Sequence, residues 1–258
     1  CSLAVCPSKR KPHDMPIITV NNLAKSYGST RAVQDISFEV ERGEIFGILG
    51  PNGSGKTTTI ECLAGLRTSD AGSMRILDID PQSDPDAVRS LVGSQLQESR
   101  LPAKLRAAEA LQLYASFYPN PADPDLLLDR LGLTTKRNTA FEDLSGGQKQ
   151  RLSVALALVG NPQIAILDEL TTGLDPQARR EVWDLIEAIR DSGVTIVLVS
   201  HFMDEAERLC DRLIVIDEGL VVAEGTPRDL ANAGVTGRTF RMRLPDPADV
   251  GDLTALPE

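Results

Sequence analysis

The stretch Gly50-Pro51-Asn52-Gly53-Ser54-Gly55-Lys56-Thr57-Thr58 has the form G-x-x-x-x-G-K-[ST]. It follows an apolar run, Ile45-Phe46-Gly47-Ile48-Leu49, that reads as a buried strand. It precedes Thr59–Ala64, where Ile60, Leu63 and Ala64 recur at helical spacing and Gly65 stands where a helix stops. Between a strand and a helix this pattern is a phosphate-binding loop. Glycines let successive backbone N–H groups turn inward into an anion nest. The following helix adds its unpaired N–H groups and the positive end of its dipole. Lys56 is then expected to reach the β- and γ-phosphates and the Thr57 hydroxyl to ligate Mg²⁺. A Gly-rich turn that matches by accident is the competing reading; the strand before it and the helix after it weigh against that.

Composition narrows the surroundings of this loop. The chain has 258 residues, 41 % hydrophobic and 25 % charged, enough for a sizeable core. Its net charge of −10 argues against nucleic acid as the main partner. No apolar run approaches the roughly 18 residues of a membrane span, so work at a membrane requires another chain to cross it. Cysteines stand at 1, 6, 62 and 210, with no C-x-x-C pair, and His13 and His201 are the only histidines. That argues against a zinc site or a disulfide framework and fits a reducing cytoplasm, with Cys62 and Cys210 as small core residues.

Upstream of the loop, residues 1–15 read as a disordered or non-native tail, with Met15 a natural start and Ser8–Asp14 a solvated polar run. Ile17–Val20 reads as a strand. Ile36, Phe38 and Val40 alternate with polar neighbours, as in a half-buried strand. Together they predict a small antiparallel β layer containing Tyr27, a core or rim aromatic when taken alone. Downstream, Asp70–Ser73 reads as a turn and Met74–Leu77 as a strand, and Asp84-Pro85 opens a short helix. Residues 99–143 carry helix signals and no strand signal. Leu111, Tyr114, Ala115 and Tyr118 share one face; Asp123-Pro124 caps a second helix through Leu126, Leu127 and Leu131, stopped at Gly132. This predicts a helical subdomain inserted into an α/β core.

Three further places offer chemistry. Leu144-Ser145-Gly146-Gly147-Gln148 opens an apolar helix, with Ser145 at the cap; it is an ordinary capped helix or a second anion site. Ile164–Leu167 is a buried strand ending in Asp168-Glu169, where Asp168 would bind Mg²⁺ and Glu169 would orient or deprotonate water. Two solvated acids at a strand end is the plain alternative. Asp175-Pro176 caps a long helix with Val182, Leu185, Ile186 and Ile189 on its buried face. Val194–Val199 is another strand, ending at Ser200-His201. A lone histidine there is more often structural, but this strand should run parallel to Ile164–Leu167 and bring it toward a γ-phosphate. Leu213–Ile216 and Leu220–Val222 form a closing hairpin, and the polar residues 229–258 read as a C-terminal extension, with a strand at Thr239–Leu244 and a helix start at Pro247–Leu253.

Taken together the pieces resemble the ATP-binding subunit of an ABC transporter over roughly residues 16–228, with the helical insert at about 98–150. In that resemblance Gly50–Thr58 is the Walker A loop, Leu144-Ser145-Gly146-Gly147-Gln148 the signature, and Ile164–Asp168 the Walker B strand. Glu169 is the catalytic carboxylate, Asp175 the D-loop acid and His201 the switch histidine. Tyr27 stacks on adenine, and Gln97, in competition with Gln95, is the Q-loop glutamine near the metal. Leu170 departs from the family, which usually has proline after the glutamate. The resemblance implies an α/β P-loop NTPase fold with a mixed sheet. It also implies ATP and Mg²⁺, head-to-tail pairing with itself or a homologue, and an integral membrane permease contacted at the cytoplasmic face. The 113–118 region is similar to the branch that exports drugs, antibiotics or polysaccharides. A soluble ATPase of the same fold acting on ribosomes or DNA, and a nucleotide sensor without turnover, are the alternatives.

Overall fold

A computed structural model of the chain describes residues 16–95 and 101–234. Nine strands form one sheet in the order β4-β1-β2-β9-β8-β3-β7-β6-β5. These are β1 (Ile18–Tyr27), β2 (Thr30–Val40), β3 (Ile45–Leu49), β4 (Ala71–Ile76), β5 (Val92–Gln95), β6 (Ile164–Asp168), β7 (Thr195–Ser200), β8 (Arg212–Asp217) and β9 (Leu220–Gly225). The helices are α1 (Lys56–Leu63), α2 (Pro85–Leu91), α3 (Ala107–Ala115), α4 (Pro124–Arg130), α5 (Gly146–Leu158), α6 (Pro176–Asp191), α7 (Met203–Leu209) and α8 (Pro227–Gly234).

The parallel centre explains its own sequence. β3, β6 and β7 each have a parallel neighbour on both sides and are buried along their length, so they read as continuous apolar runs. Successive residues face opposite cores. Ile45, Ala165, Leu167, Ile196 and Leu198 pack with the helices α3 to α7. Phe46, Ile48, Ile164, Ile166, Val197 and Val199 pack with α1 and the antiparallel β1–β2–β4 layer. Register sets Leu49 beside Ser200 and Asp168 beside Val199, so three strands end at one edge. In such sheets ligands bind at the carboxyl ends of the strands.

Several local expectations shift. β1 continues to Tyr27, and β4 begins at Ala71, so the expected turn at 70–73 is mostly strand. Gly72 makes this possible: at φ +90 a Cβ there would lie 2.4 Å from the Asn22 carbonyl of β1. Tyr118 lies beyond the end of α3, yet its ring fills the space over Gly160, where a Cβ would come within 2.6 Å. Leu126 is 58 % exposed; Leu127 and Leu128 carry the buried face of α4. Between β5 and β6 the described residues form α3, α4, α5 and two 3₁₀ turns, Thr134–Lys136 and Phe141–Asp143. α7 was not anticipated, and α8 crosses the 228/229 boundary. The strand and helix expected at 239–253 lie outside the described residues.

Candidate active site

The loop Gly50–Thr58 joins the end of β3 to α1 and lines a cleft of about 440 Å³ with Tyr27, Ala32 and Glu169. Its glycines are required by space as well as rotation. A Cβ on Gly50 would lie 2.1 Å from the Ile216 carbonyl, and one on Gly55 2.4 Å from that of Ala32. Gly53, at φ +81, faces open space. Asn52, Gly53, Gly55, Lys56, Thr57 and Thr58 line the cleft. Pro51 is exposed, and Ser54 is buried with a hydroxyl that has no hydrogen-bond partner.

Lys56 is only 5 % exposed. Its ammonium donates to the carbonyls of Gly50 at 2.8 Å and Pro51 at 3.0 Å, bending the side chain back over its own loop. Burial lowers its pKa, and the charges of Glu169 and Asp168 oppose that. A triphosphate would replace two neutral acceptors with anionic ones, which make stronger hydrogen bonds.

Asp168 ends β6 at 3 % exposure, and its Oδ2 has no hydrogen-bond partner. Burial and then the neighbouring charge of Glu169 push its carboxyl up to about 6, with Lys56 opposing. Glu169 sits in the left-handed region at φ +50, its N–H donating to the Val199 carbonyl at 2.9 Å. This turn swings its carboxylate into the cleft, where Oε1 lies 3.1 Å from Nδ1 of His201. Proline at 170 would restrict Glu169; Leu170 leaves that backbone free and buries its own side chain completely. The carboxylate, the imidazole and the loop lysine thus reach one edge from β6, β7 and α1.

Tyr27 closes the other end of the cleft, 42 % exposed, with Lys25 and Arg67 at 5.8 and 5.5 Å from its ring centroid. The negative face of the ring attracts both cations.

Ser145, Gly146, Gly147 and Gln148 are not part of this cleft. Ser145 caps α5 in a reciprocal box: its Oγ accepts from the Gln148 N–H at 3.3 Å, and the Gln148 side chain accepts from the Ser145 N–H at 3.0 Å. With Gly173, Leu174 and Asp175 they line a separate cavity of about 280 Å³ that shares no residue with the first. Asp175 caps α6, and the amides of Ala178 and Gln177 hold its carboxyl below the usual range. Gln97 lies outside the described residues. Gln95 is buried at the end of β5 and lines a further groove of about 250 Å³ with Leu66, Tyr114 and Tyr118.

Sequence reasoning missed two groups. Glu205 on α7 is fully buried and accepts from Trp183 Nε1 at 3.0 Å. Arg179 lies over the ring of Phe202, next to His201. Neither has a local signature, since each depends on α6 meeting α7.

The comparisons agree with this geometry. A family model described as ABC transporter matches residues 33–172. The chain is 41 % identical over 220 residues to the Nod factor export ATP-binding protein I of Ralstonia nicotianae, covering 83 % of this chain and 68 % of that one. It is 36 % identical over 244 residues to the protein of the same name from Rhizobium etli, covering 93 % and 77 %. Among solved structures it resembles the dimeric post-hydrolysis state of an ATP-binding cassette bound to ADP and Pi, with TM-score 0.74 and 27 % identity over 82 % of this chain and 99 % of that one. It also resembles cbiO1 from Clostridium perfringens, part of an ABC transporter complex, with TM-score 0.76 and 28 % identity over 85 % and 92 %. This chain therefore belongs to the ABC transporter family as one of its ATP-binding, ATP-hydrolysing subunits.

Proposed function

We propose that two copies of this chain, or this chain and a homologue, close head to tail around ATP and so drive export through a separate membrane permease. One observation carries the reading: the phosphate-loop cleft and the Ser145 cavity share no lining residue, which leaves the Ser145 cavity free to complete the cleft of another copy. A second copy would bring its capped helix N-terminus, with its free N–H groups, to the γ-phosphate. The dimeric, post-hydrolysis form of the solved relative favours this arrangement, and the Nod factor export relatives favour export.

In the proposed site Lys56 and the loop amides bind the phosphates, Tyr27 stacks on the base, and Glu169 orients or deprotonates the attacking water. His201, 3.1 Å from Glu169, holds that carboxylate and contacts the γ-phosphate. Asp175 fixes the start of α6 at the contact with the other copy. Mg²⁺ fits the residues present. Asp168 offers a buried oxygen without a partner, and Thr57 an exposed hydroxyl. No cluster of three metal-ligating side chains exists among the described residues, so phosphate oxygens and water would complete the shell. Gln97, outside the described residues, is proposed to join them. Bound there, Mg²⁺ would offset charge on the β- and γ-phosphates.

No helix among the described residues is long and apolar enough to cross a membrane. The groove of Leu66, Gln95, Tyr114 and Tyr118, with exposed Leu113 and Phe117 nearby in sequence, is the proposed seat for a cytoplasmic loop of the permease. The protein would then work at the cytoplasmic face of the membrane, with no nucleic acid as partner.

Glu169→Gln tests the reading. ATP should still bind, phosphate release should stop, and size-exclusion chromatography with Mg-ATP should show a persistent dimer. Phosphate release at the wild-type rate would remove Glu169 from the water-activating role.

A further inference from the structure

His201 does not stand alone at the end of β7. Its ring lies against Phe202, centroids 4.0 Å apart and planes tilted by 40°. Phe202 precedes α7 and offers no side-chain cap, so hydrogen bonding does not hold its ring. The guanidinium of Arg179, on α6, sits over that ring with Cζ 5.1 Å from the centroid. Arg179 Nη1 donates to Asp204 Oδ2 at 3.4 Å, while its buried Nε has no hydrogen-bond partner. A partly buried guanidinium that leaves a donor unsatisfied is held chiefly by its ring contact and its carboxylate.

The same stretch of α6 touches the second half-site. A Cβ on Gly147 would meet Ala178 at 3.3 Å, and Glu181 pairs with Arg151 of α5. Arg179 therefore leaves the helix one residue after the contact with the signature loop and ends over the neighbour of the switch histidine.

We propose that Arg179 is a positioning residue for ATP hydrolysis: its guanidinium clamps Phe202, and Phe202 holds the His201 imidazole toward Glu169. The inference rests on the proposed reading of Glu169 and His201 as the hydrolytic pair. Arg179 touches neither ATP nor water. Its loss should lower kcat and spare nucleotide affinity, because the phosphate loop and Tyr27 are unchanged.

The test uses the full chain with Arg179→Ala, Arg179→Lys and Phe202→Leu. Arg179→Ala should lower kcat by about three- to tenfold, the size of one cation–ring contact, with KM for ATP within about twofold of wild type. Arg179→Lys, which keeps a cation over the ring, should recover most of that loss. The double variant Arg179→Ala/Phe202→Leu should be no slower than the worse single variant, because both break one contact. A readout independent of turnover comes from the imidazoles. The chain has two histidines, so His13→Gln leaves one ring signal in a ¹³C-histidine spectrum. That Hε1 resonance should carry a ring-current displacement from Phe202 and move toward the free-histidine position in Arg179→Ala. An unmoved resonance, an unchanged kcat, additive losses, or a kcat loss matched by equal loss of ATP affinity would each overturn the proposal. Glu169→Gln separates the two levels: if it retains turnover, the hydrolytic pair is wrong. If it is dead while Arg179→Ala is fully active, only the clamp is wrong.

Discussion

Lys56 and Asp168 are the two charges of the cleft that water reaches least, at 5 % and 3 % exposure. Both have pKa values moved toward the neutral form by burial. Replacing Lys56 by alanine removes a charge-assisted contact to phosphate, so ATP affinity should fall about ten- to hundredfold by calorimetry. Unchanged affinity would show that the loop amides alone hold the nucleotide. Asp168 makes a different prediction, for protein free of metal and nucleotide. Its folded pKa, about 6, lies above the ordinary value of 3.8, so the native state binds the proton more tightly. The penalty is absent near pH 4, grows as pH rises, and is complete above about 6 at roughly 3 kcal/mol. Asp168→Asn should therefore be more stable than wild type at pH 7.5 and equal to it near pH 4, by urea unfolding in chelator. A gain that does not depend on pH would mean the carboxyl is not the source. Lys56 was legible from sequence because the loop pattern is local, and Asp168 because it ends an apolar strand. The direction of the Lys56 side chain was not, because it turns on which carbonyls the loop exposes.

Among the elements, legibility followed the strength of end signals. α6 opens with Asp175-Pro176, and α2 with Asp84 and Pro85; both starts were expected and both aspartates accept from backbone amides. α7 has seven residues and no capping side chain, so nothing local marked it. The strand at β4 was expected from Met74 on; its start at Ala71 was hidden because Gly72 looks like a turn residue but serves a close crossing with β1. What α7 lacks at its ends it gains from its neighbour. Glu205 is fully buried, and Trp183 of α6 gives it a hydrogen bond at 3.0 Å. Trp183→Phe leaves that oxygen without its donor and should cost about 1–3 kcal/mol, seen as a lower urea midpoint with the slope unchanged. An unchanged midpoint would show that Glu205 needs no indole. The pairing of Arg179 with Phe202 belongs here too: it is a property of two helices meeting, which no single stretch of sequence announces.

At the scale of the molecule, the two cavities lie in one chain yet share no residue. Ser145→Arg places a bulky cation at the mouth of the smaller one and leaves the phosphate-loop cleft untouched. Nucleotide affinity of the separated monomer should stay within about twofold, while turnover falls more than tenfold because the second copy can no longer close. Normal turnover in this variant would remove the shared-site arrangement. The phosphate-loop cleft was legible from one motif; that Ser145 and Asp175 line one second cavity was not, because spacing along a chain says nothing about which residues share a cavity.

The β1–β2–β4 layer meets the parallel strands through a single ladder step, Asp35 opposite Leu220, helped by the Gln34 and Asp35 amides donating to the Gly219 carbonyl at 2.8 and 3.3 Å. Apolar packing carries the rest of that join, with the Phe38 and Phe46 rings stacked 5.4 Å apart. Because Tyr27 belongs to the layer while the phosphate loop follows β3, a nucleotide held by both would be a rivet through an already welded seam.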